Sequence, residues 1–539
     1  MPIFVIYKVI QMTQSSVAAP KKRESFSSRK VFIFAAIGSA VGLGNIWRFP
    51  YIAFDNGGGA FMIPYLVALL TAGLPFLFFD YAIGHRGRAS SPLAFRRLNR
   101  KTEFIGWWHM GINVIIAIYY AAIIAWSLRY MIFSVNHAWG DSPADFFSGN
   151  FLQASDPTAG VTLDFVPGIL IPVVLIWVAL LVIMSLGVQK GVGAANIVFI
   201  PVLIVMFLAL VIYSLTLPGA FDGLNALFTP NWSSLLDAKV WVAAYGQIFF
   251  SLSIGFGIMI TYSSYLKKQS DLTGTGVVVG FANSGFELLA GIGVFAALGF
   301  MANAAGTQVS EVATSGIGLA FIAFPTIISQ APAGTLIGIL FFGSLLFAGI
   351  TSLISIVEVI VAGVQDKFGA SRVVSTAAVI VPLAIASTLL MPTTSGLYVL
   401  DIMDNFVNQF GILAAGLLSI FLVGYVVRAL PVLRDHVNQT ASIKIGPIWM
   451  ILLAAVTPII LGYSLINTFI GLVKEPYEGY PTEMINIFGW GMVLLLLVVA
   501  VVVSFLPWSS RSRAALKAPA PPVAAGKIQH DASTEVKEG

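Results

Sequence analysis

Apolar residues in this chain run in long continuous stretches rather than in one-sided stripes. Twelve such stretches lie near 31–54, 59–84, 104–135, 166–186, 192–215, 239–266, 274–303, 333–364, 372–391, 398–430, 447–473 and 484–507. Each is long enough to cross a bilayer as a helix. The polar residues between them are not distributed evenly. Lys21, Lys22, Arg23, Arg29 and Lys30 precede the first stretch, and Arg86, Arg88, Arg96, Arg97, Arg100 and Lys101 follow the second. Lys267 and Lys268, then Lys367 and Arg372, then Arg428, Arg434 and Lys444 fall in loops of the same parity. The loop 136–165 has no Lys or Arg but carries Asp141, Asp145, Asp156 and Asp164. The positive-inside rule then puts both termini in the cytoplasm, and the agreement along the chain supports twelve spans.

Two of the stretches work against their own helicity. Gly38, Gly42 and Gly44 fall within seven residues of the first, each weakening a helix by roughly 1 kcal/mol. Asn45 and Arg48 follow at once. The sixth contains Ser251-Leu252-Ser253-Ile254-Gly255-Phe256-Gly257. Such backbone survives in a bilayer only where it is buried in protein or lines a wet cavity. Helices opened at Val41–Leu43 and Ser251–Ser253 present free N–H groups that attract an anion, and carbonyls that suit a small hard cation. Glycines that merely allow close helix packing are the plainer reading of either segment alone. The matched positions, five spans apart, point instead to a midplane binding site between inverted repeats. The expected fold is therefore an all-α membrane protein: residues 1–30 cytoplasmic, a first five-helix repeat at 31–215, its inverted copy at 239–430, two further helices at 447–507, and a disordered cytoplasmic tail at 508–539.

Composition agrees: 58% of the 539 residues are hydrophobic and 10% charged. The net charge of +5 comes from short loops and gives no reason to expect nucleic acid. No cysteine is present, which excludes disulfides and thiolate chemistry, and His85, His109, His137, His436 and His530 show no metal-ligand spacing. No nucleophile–base set argues for an enzyme. The apolar run 1–10 lacks a basic n-region and a cleavage site, so it is a poor signal peptide, and Met12 is an alternative start. Within the spans, Thr351 and Ser352 either help cage a cation or bond back to the carbonyl four residues earlier. Asn283 and Glu287 share a helix face and are functional candidates as intramembrane polar residues. Tyr119 and Tyr120 are packing residues or ligands. Asp80, Glu358 and Asp401 read as helix–helix pairing.

These motifs carry a resemblance. Ala40 to Tyr51, then Asn56-Gly57-Gly58-Gly59-Ala60-Phe61, resemble the first-helix signature of the neurotransmitter:sodium symporters, in particular their bacterial leucine-transporter-like branch. Gly246 to Ser253 with Gly255-Phe256-Gly257 resemble the sixth helix, and Phe347 to Ser352 the eighth; the similarity runs from about Lys22 to Trp508. It implies twelve helices in a 5+5 inverted repeat with helices 1 and 6 broken. It implies two sodium sites: one from the Ala40 carbonyl, Asn45, Asn283, Ser251 and the substrate carboxylate, the other from the Gly38, Val41 and Ala348 carbonyls with Thr351 and Ser352. The substrate carboxylate would meet the Leu43 and Gly44 amides and Tyr120. The ammonium would face the Ala40 and Phe250 carbonyls, Ser251 and Ser253. The side chain would lie among Ile116, Tyr120, Phe250, Phe256, Ser352 and Ile356. Arg48 and Asp404 match an outer gate pair, with Phe256 as a lid. Arg23 and Asp366, with Ser264 and Tyr265, match the inner gate. Tyr65, Gln247 and Ser251 match three residues of the family's chloride site, but Glu287 takes the fourth place. Its carboxylate would replace chloride and, with sodium gone, could carry a proton outward.

The chain departs from the bacterial branch at Ser39, Ser251, Ser355 and Glu358, which replace its Asn, Thr, Ala and Gln. Gly42 stands where amine transporters carry Asp, so the substrate should bring its own carboxylate. The expected function is sodium-coupled, chloride-independent import of neutral aliphatic amino acids across the plasma membrane. An aromatic amino acid symporter, a non-transporting amino acid sensor and a gated ion pathway are the rivals. The expected partners are the substrate and the lipid bilayer, with room for a small accessory subunit or a homodimer.

Overall fold

The computed structural model describes residues 24–510 and 512–513. Among these residues there is no strand, and only two isolated β-bridges join loops. Ten continuous helices are long and apolar enough to span a membrane. In chain order with the interrupted ones, the helices are α1 (Arg29–Ala40), α2 (Leu43–Asp55), α3 (Gly59–Gly87), α4 (Arg100–Phe133), α5 (Pro167–Ser185), α6 (Val188–Ser214), α7 (Ala238–Ser251), α8 (Ile258–Ser263), α9 (Leu272–Ala305), α10 (Gly334–Phe368), α11 (Arg372–Leu390), α12 (Gly396–Val426), α13 (Pro447–Gly479) and α14 (Thr482–Phe505). α1 and α2 meet at a 56° bend and together make an eleventh span. α7 and α8 are separated by Leu252–Gly257, in which Ser253, Gly255 and Gly257 all have positive φ.

The packing sorts the helices into two groups. α4, α5, α10 and α11 pack on one another, with α10 running along α4. α3 packs on both α7 and α8, and α9 on α1 and α2. The broken helices lie between the groups, where α1 and α2 also touch α10. Burial follows from this: the apolar window of α10 is 89% buried, whereas those of α13 and α14 are 22% buried and offer their apolar faces outward.

The end of the bundle that carries the Lys- and Arg-rich loops is tied shut. The Phe26 amide donates to the Tyr265 carbonyl at 3.2 Å, and Phe26 packs edge-on against Phe32, Tyr262 and Tyr265. Glu24 accepts the Val188 amide at 2.7 Å. Arg372 makes a two-bond fork to Glu358 at 2.8 and 2.6 Å, so the expected pairing of Glu358 is seen, with a residue that also reads as a loop charge.

A second buried cluster joins three distant helices there. Glu103, at the start of α4, accepts bonds from Lys367 at 3.2 Å, Trp107 at 3.1 Å and Trp508 at 2.8 Å, and from Arg96. The Lys367 ammonium also donates to the Val503 and Leu506 carbonyls and lies over both indole rings. Lys367→Met is expected to cost about 3 kcal/mol, the low end for breaking a buried pair, because Arg96 remains. Thermal unfolding in detergent checks this. The double variant Glu103→Leu/Lys367→Met should lose less than Lys367→Met alone; an equal or larger loss would rule out the pairing account.

Candidate functional site

The site begins where α1 stops. Val41 and Gly42 are extended, and α2 restarts at Leu43. The Asn45 side chain closes the gap by accepting the Gly42 amide at 2.9 Å. Its own amide donates to Asn283 at 2.8 Å, and Asn283 donates to the Ser251 hydroxyl at 3.1 Å. Ser251 in turn bonds Glu287, which also accepts Gln247 at 2.6 Å and the Tyr65 hydroxyl. Tyr65 additionally bonds Ser284 at 2.8 Å. A single buried chain of polar groups thus runs from the first break through the last residue of α7 to the Glu287 carboxylate. All five of Asn45, Gln247, Ser251, Asn283 and Glu287 are at most 2% exposed.

The second break joins the first. Ser253, in the left-handed region at φ 52°, donates its hydroxyl to the Ser39 carbonyl at 2.8 Å. On the other side, the Ser352 hydroxyl donates to the Gly38 carbonyl at 3.4 Å. Thr351 donates to Phe347 and Ala348, each at 3.0 Å, which is the back-bonding alternative; its lone pairs remain available to a cation. The Leu43 amide faces the Tyr120 hydroxyl at 3.4 Å, and Tyr120 also bonds Ser352. So Gly38, Ser39, Leu43, Tyr120 and Ser352 come together at the break, while the hydrogen bonds of Thr351 stay within α10.

One close approach shapes the region of the first break. A Cβ on Gly44 would lie 2.1 Å from the Phe250 ring, so only glycine lets that ring rest on α2. The Arg48 guanidinium stacks on the same ring, 4.7 Å from its centroid. Ile116, Phe256 and Ile356 are buried in the core, and Phe250 is half-buried.

The gate residues are arranged differently from the expectation. Arg48 and Asp404 are close enough to feel each other's charge but make no ion pair. Asp404 is instead held by the Tyr119 hydroxyl at 2.6 Å and Asn408 at 2.9 Å, while Arg48 is taken up by Phe250. Arg23 lies outside the described residues. Asp366 accepts the Ser90 amide at 2.7 Å, and the Tyr265 hydroxyl goes to Glu358 at 2.6 Å. Ser264 bonds back to Thr261 within its own turn. Asp401 accepts the hydroxyls of Tyr477, at the end of α13, and Tyr480, in line with the helix–helix pairing expected of it.

Two residues support the second break: Asp80, read from the sequence as helix–helix pairing, and Asn113, which the sequence did not single out. Asp80 of α3 pairs with no partner side chain; it accepts the Gly255 amide at 3.3 Å. Asn113 of α4 donates to the Phe256 carbonyl at 2.7 Å. The only advance signal was that each is a polar residue inside an apolar span.

Two interrupted helices gathered around a buried polar chain define a membrane transporter of the broken-helix type. A sequence profile of the sodium:neurotransmitter symporter family matches residues 23–144 and 139–511. An uncharacterised sodium-dependent transporter of Methanocaldococcus jannaschii is 42% identical over 485 residues, covering 89% of this chain and 97% of the relative. The sodium- and chloride-dependent taurine transporter of Rattus norvegicus is 30% identical, covering 88% and 83%. The crystal structure of MhsT in complex with L-phenylalanine superposes with a TM-score of 0.69 at 31% identity, covering 83% of this chain and all of that one. The chain belongs to the sodium:neurotransmitter symporter family and is a sodium-dependent transporter.

Gly44→Ala should push the Phe250 ring off α2, an overpacking strain of about 1–3 kcal/mol. Sodium-dependent uptake is expected to fall about tenfold with the unfolding temperature nearly unchanged. Wild-type uptake by this variant would mean that the ring's seat on α2 is not part of the working site.

Proposed function

We propose that this protein imports neutral amino acids with sodium by alternating access, without chloride, and that aliphatic ones such as alanine, methionine and leucine are its substrates. One observation carries the reading: the groups around the breaks are carbonyls, amides and hydroxyls, and the buried acid beside them is committed, since its two oxygens accept Tyr65 and Gln247. A zwitterion that supplies its own carboxylate fits such a place. The carboxylate would meet the Leu43 and Gly44 amides and Tyr120. The ammonium would meet the Ala40 and Phe250 carbonyls, Ser251 and Ser253. One sodium would take the Ala40 carbonyl, Asn45, Asn283, Ser251 and that carboxylate; a second would take the Gly38, Val41 and Ala348 carbonyls, Thr351 and Ser352. Because one ion shares the substrate's carboxylate, each ligand strengthens the other's binding. Glu287 supplies beside the first ion the charge that chloride would otherwise bring, and with sodium gone it returns outward carrying a proton.

In this reading α7 and α8 form the twelfth span, the halves 31–215 and 239–430 are inverted repeats, and the basic end faces the cytoplasm. Arg48 with Asp404, and Arg23 with Asp366, then guard the two entrances. Aromatic substrates are the second reading, supported by the phenylalanine bound to MhsT.

Uptake into proteoliposomes, driven by a sodium gradient, tests both. Alanine, methionine and leucine should accumulate only with sodium, equally well in chloride and gluconate. Glu287→Ser should require chloride and lose its response to an acidic lumen; indifference of that variant to chloride would overturn the role of Glu287. Preference for phenylalanine would favour the second reading, and uptake of lysine or glutamate alone would overturn both.

A further inference from the structure

We infer that Asn113 is a positioning residue that sets the width of the substrate pocket by holding the Phe256 carbonyl. The inference rests on the pocket reading above.

The stretch from Leu252 to Gly257 has left the helix; its ends still bond to the flanking turns, but the Gly255 amide and the Phe256 carbonyl have no helical partner. In a bilayer no water is at hand to take its place. Two side chains do so, one for each kind of group: Asp80 accepts the Gly255 amide and Asn113 donates to the Phe256 carbonyl. Asn113 is fully buried, and the same amide nitrogen also donates to the His109 carbonyl at 2.7 Å, one turn back on α4. The nitrogen has two hydrogens, so one bond fixes the side chain on its own helix and the other reaches across.

The reach matters because of what else α4 carries. His109, Asn113 and Ile116 stand at positions i, i+4 and i+7 of one helix, hence on one face. The unwound segment is pressed against that face: a Cβ on Gly257, where φ is 89°, would come within 3.1 Å of the His109 Cβ. Ile116 and Phe256 both line the substrate side chain in the function proposed above. Asn113 is the polar tie between the helix that carries one and the loop that carries the other. Releasing it frees Phe256 to move away from Ile116. A residue that merely satisfied an orphaned carbonyl would, when lost, weaken every substrate alike.

The test is the selectivity ratio for phenylalanine over leucine, from sodium-dependent binding and competition on the full-length transporter. Asn113→Leu keeps the shape and removes both bonds. Asn113→Ser keeps a donor that bonds back to His109 but does not reach Phe256, and it serves if the leucine variant fails to fold. Either variant should shift the ratio about tenfold toward phenylalanine, with the sodium half-saturation at saturating substrate unchanged. Asn113→Gln, which keeps a donor amide, should restore most of the wild-type ratio. Ile116→Ala is measured beside them as a check on the pocket itself. If Ile116→Ala moves the ratio while the Asn113 variants lower all affinities equally or not at all, the positioning role is overturned and the pocket stands. If neither moves it, the pocket reading falls and takes this inference with it.

Discussion

A peptide group that leaves its helix inside a bilayer must be satisfied by protein, and this one requirement organises the centre of the molecule. Each unpaired group there costs several kcal/mol. The two breaks are therefore surrounded by side chains whose main business is with backbone: Asn45 on the Gly42 amide, Ser253 and Ser352 on the Ser39 and Gly38 carbonyls, Asp80 on the Gly255 amide and Asn113 on the Phe256 carbonyl. These come from five separate stretches of chain. The open backbone is stable only once α3, α4 and α10 have assembled around α1, α2, α7 and α8. Binding geometry and folding are consequently the same problem here. The groups that a hard cation or a carboxylate could use are groups that the assembled helices hold in place.

Ser251 occupies a particular position in this scheme. It ends α7, accepts from Asn283 and bonds Glu287. A charge change on either side of it is felt on the other through one hydroxyl. In a site this dry the interaction is screened far less than at a surface. The acid and the proposed cation site are thus electrostatically one unit, although Glu287 is already occupied by three donors.

The long apolar runs made most of the fold legible, because hydropathy needs only local sequence. The breaks were legible for the same reason: Gly38, Gly42 and Gly44 violate helix preference within a few residues. Long-range pairing was not. Asp80 and Gly255 are 175 positions apart, and Asn113 and Phe256 143, so no periodicity connects them. Arg372 read as a loop charge, yet it is the buried partner of Glu358. The direct Arg48–Asp404 pair was expected from motif positions alone. It is absent because each partner has a nearer one: the Phe250 ring for Arg48, and Tyr119 with Asn408 for Asp404.

The cluster around Glu103 has a meaning for the order in which the chain is made. Glu103 enters the membrane's edge near the start of the third apolar stretch. Its lysine partner lies 264 residues further on, and the Trp508 indole 405. Throughout translation of everything between, that carboxylate has only Arg96 and Trp107 to hold it. Trp508, just past the end of α14, completes its shell. A ribosome that stops before Trp508 leaves an intermediate with an acid it cannot fully shield, so this one residue reports, by its own discomfort, whether synthesis has passed the last helix.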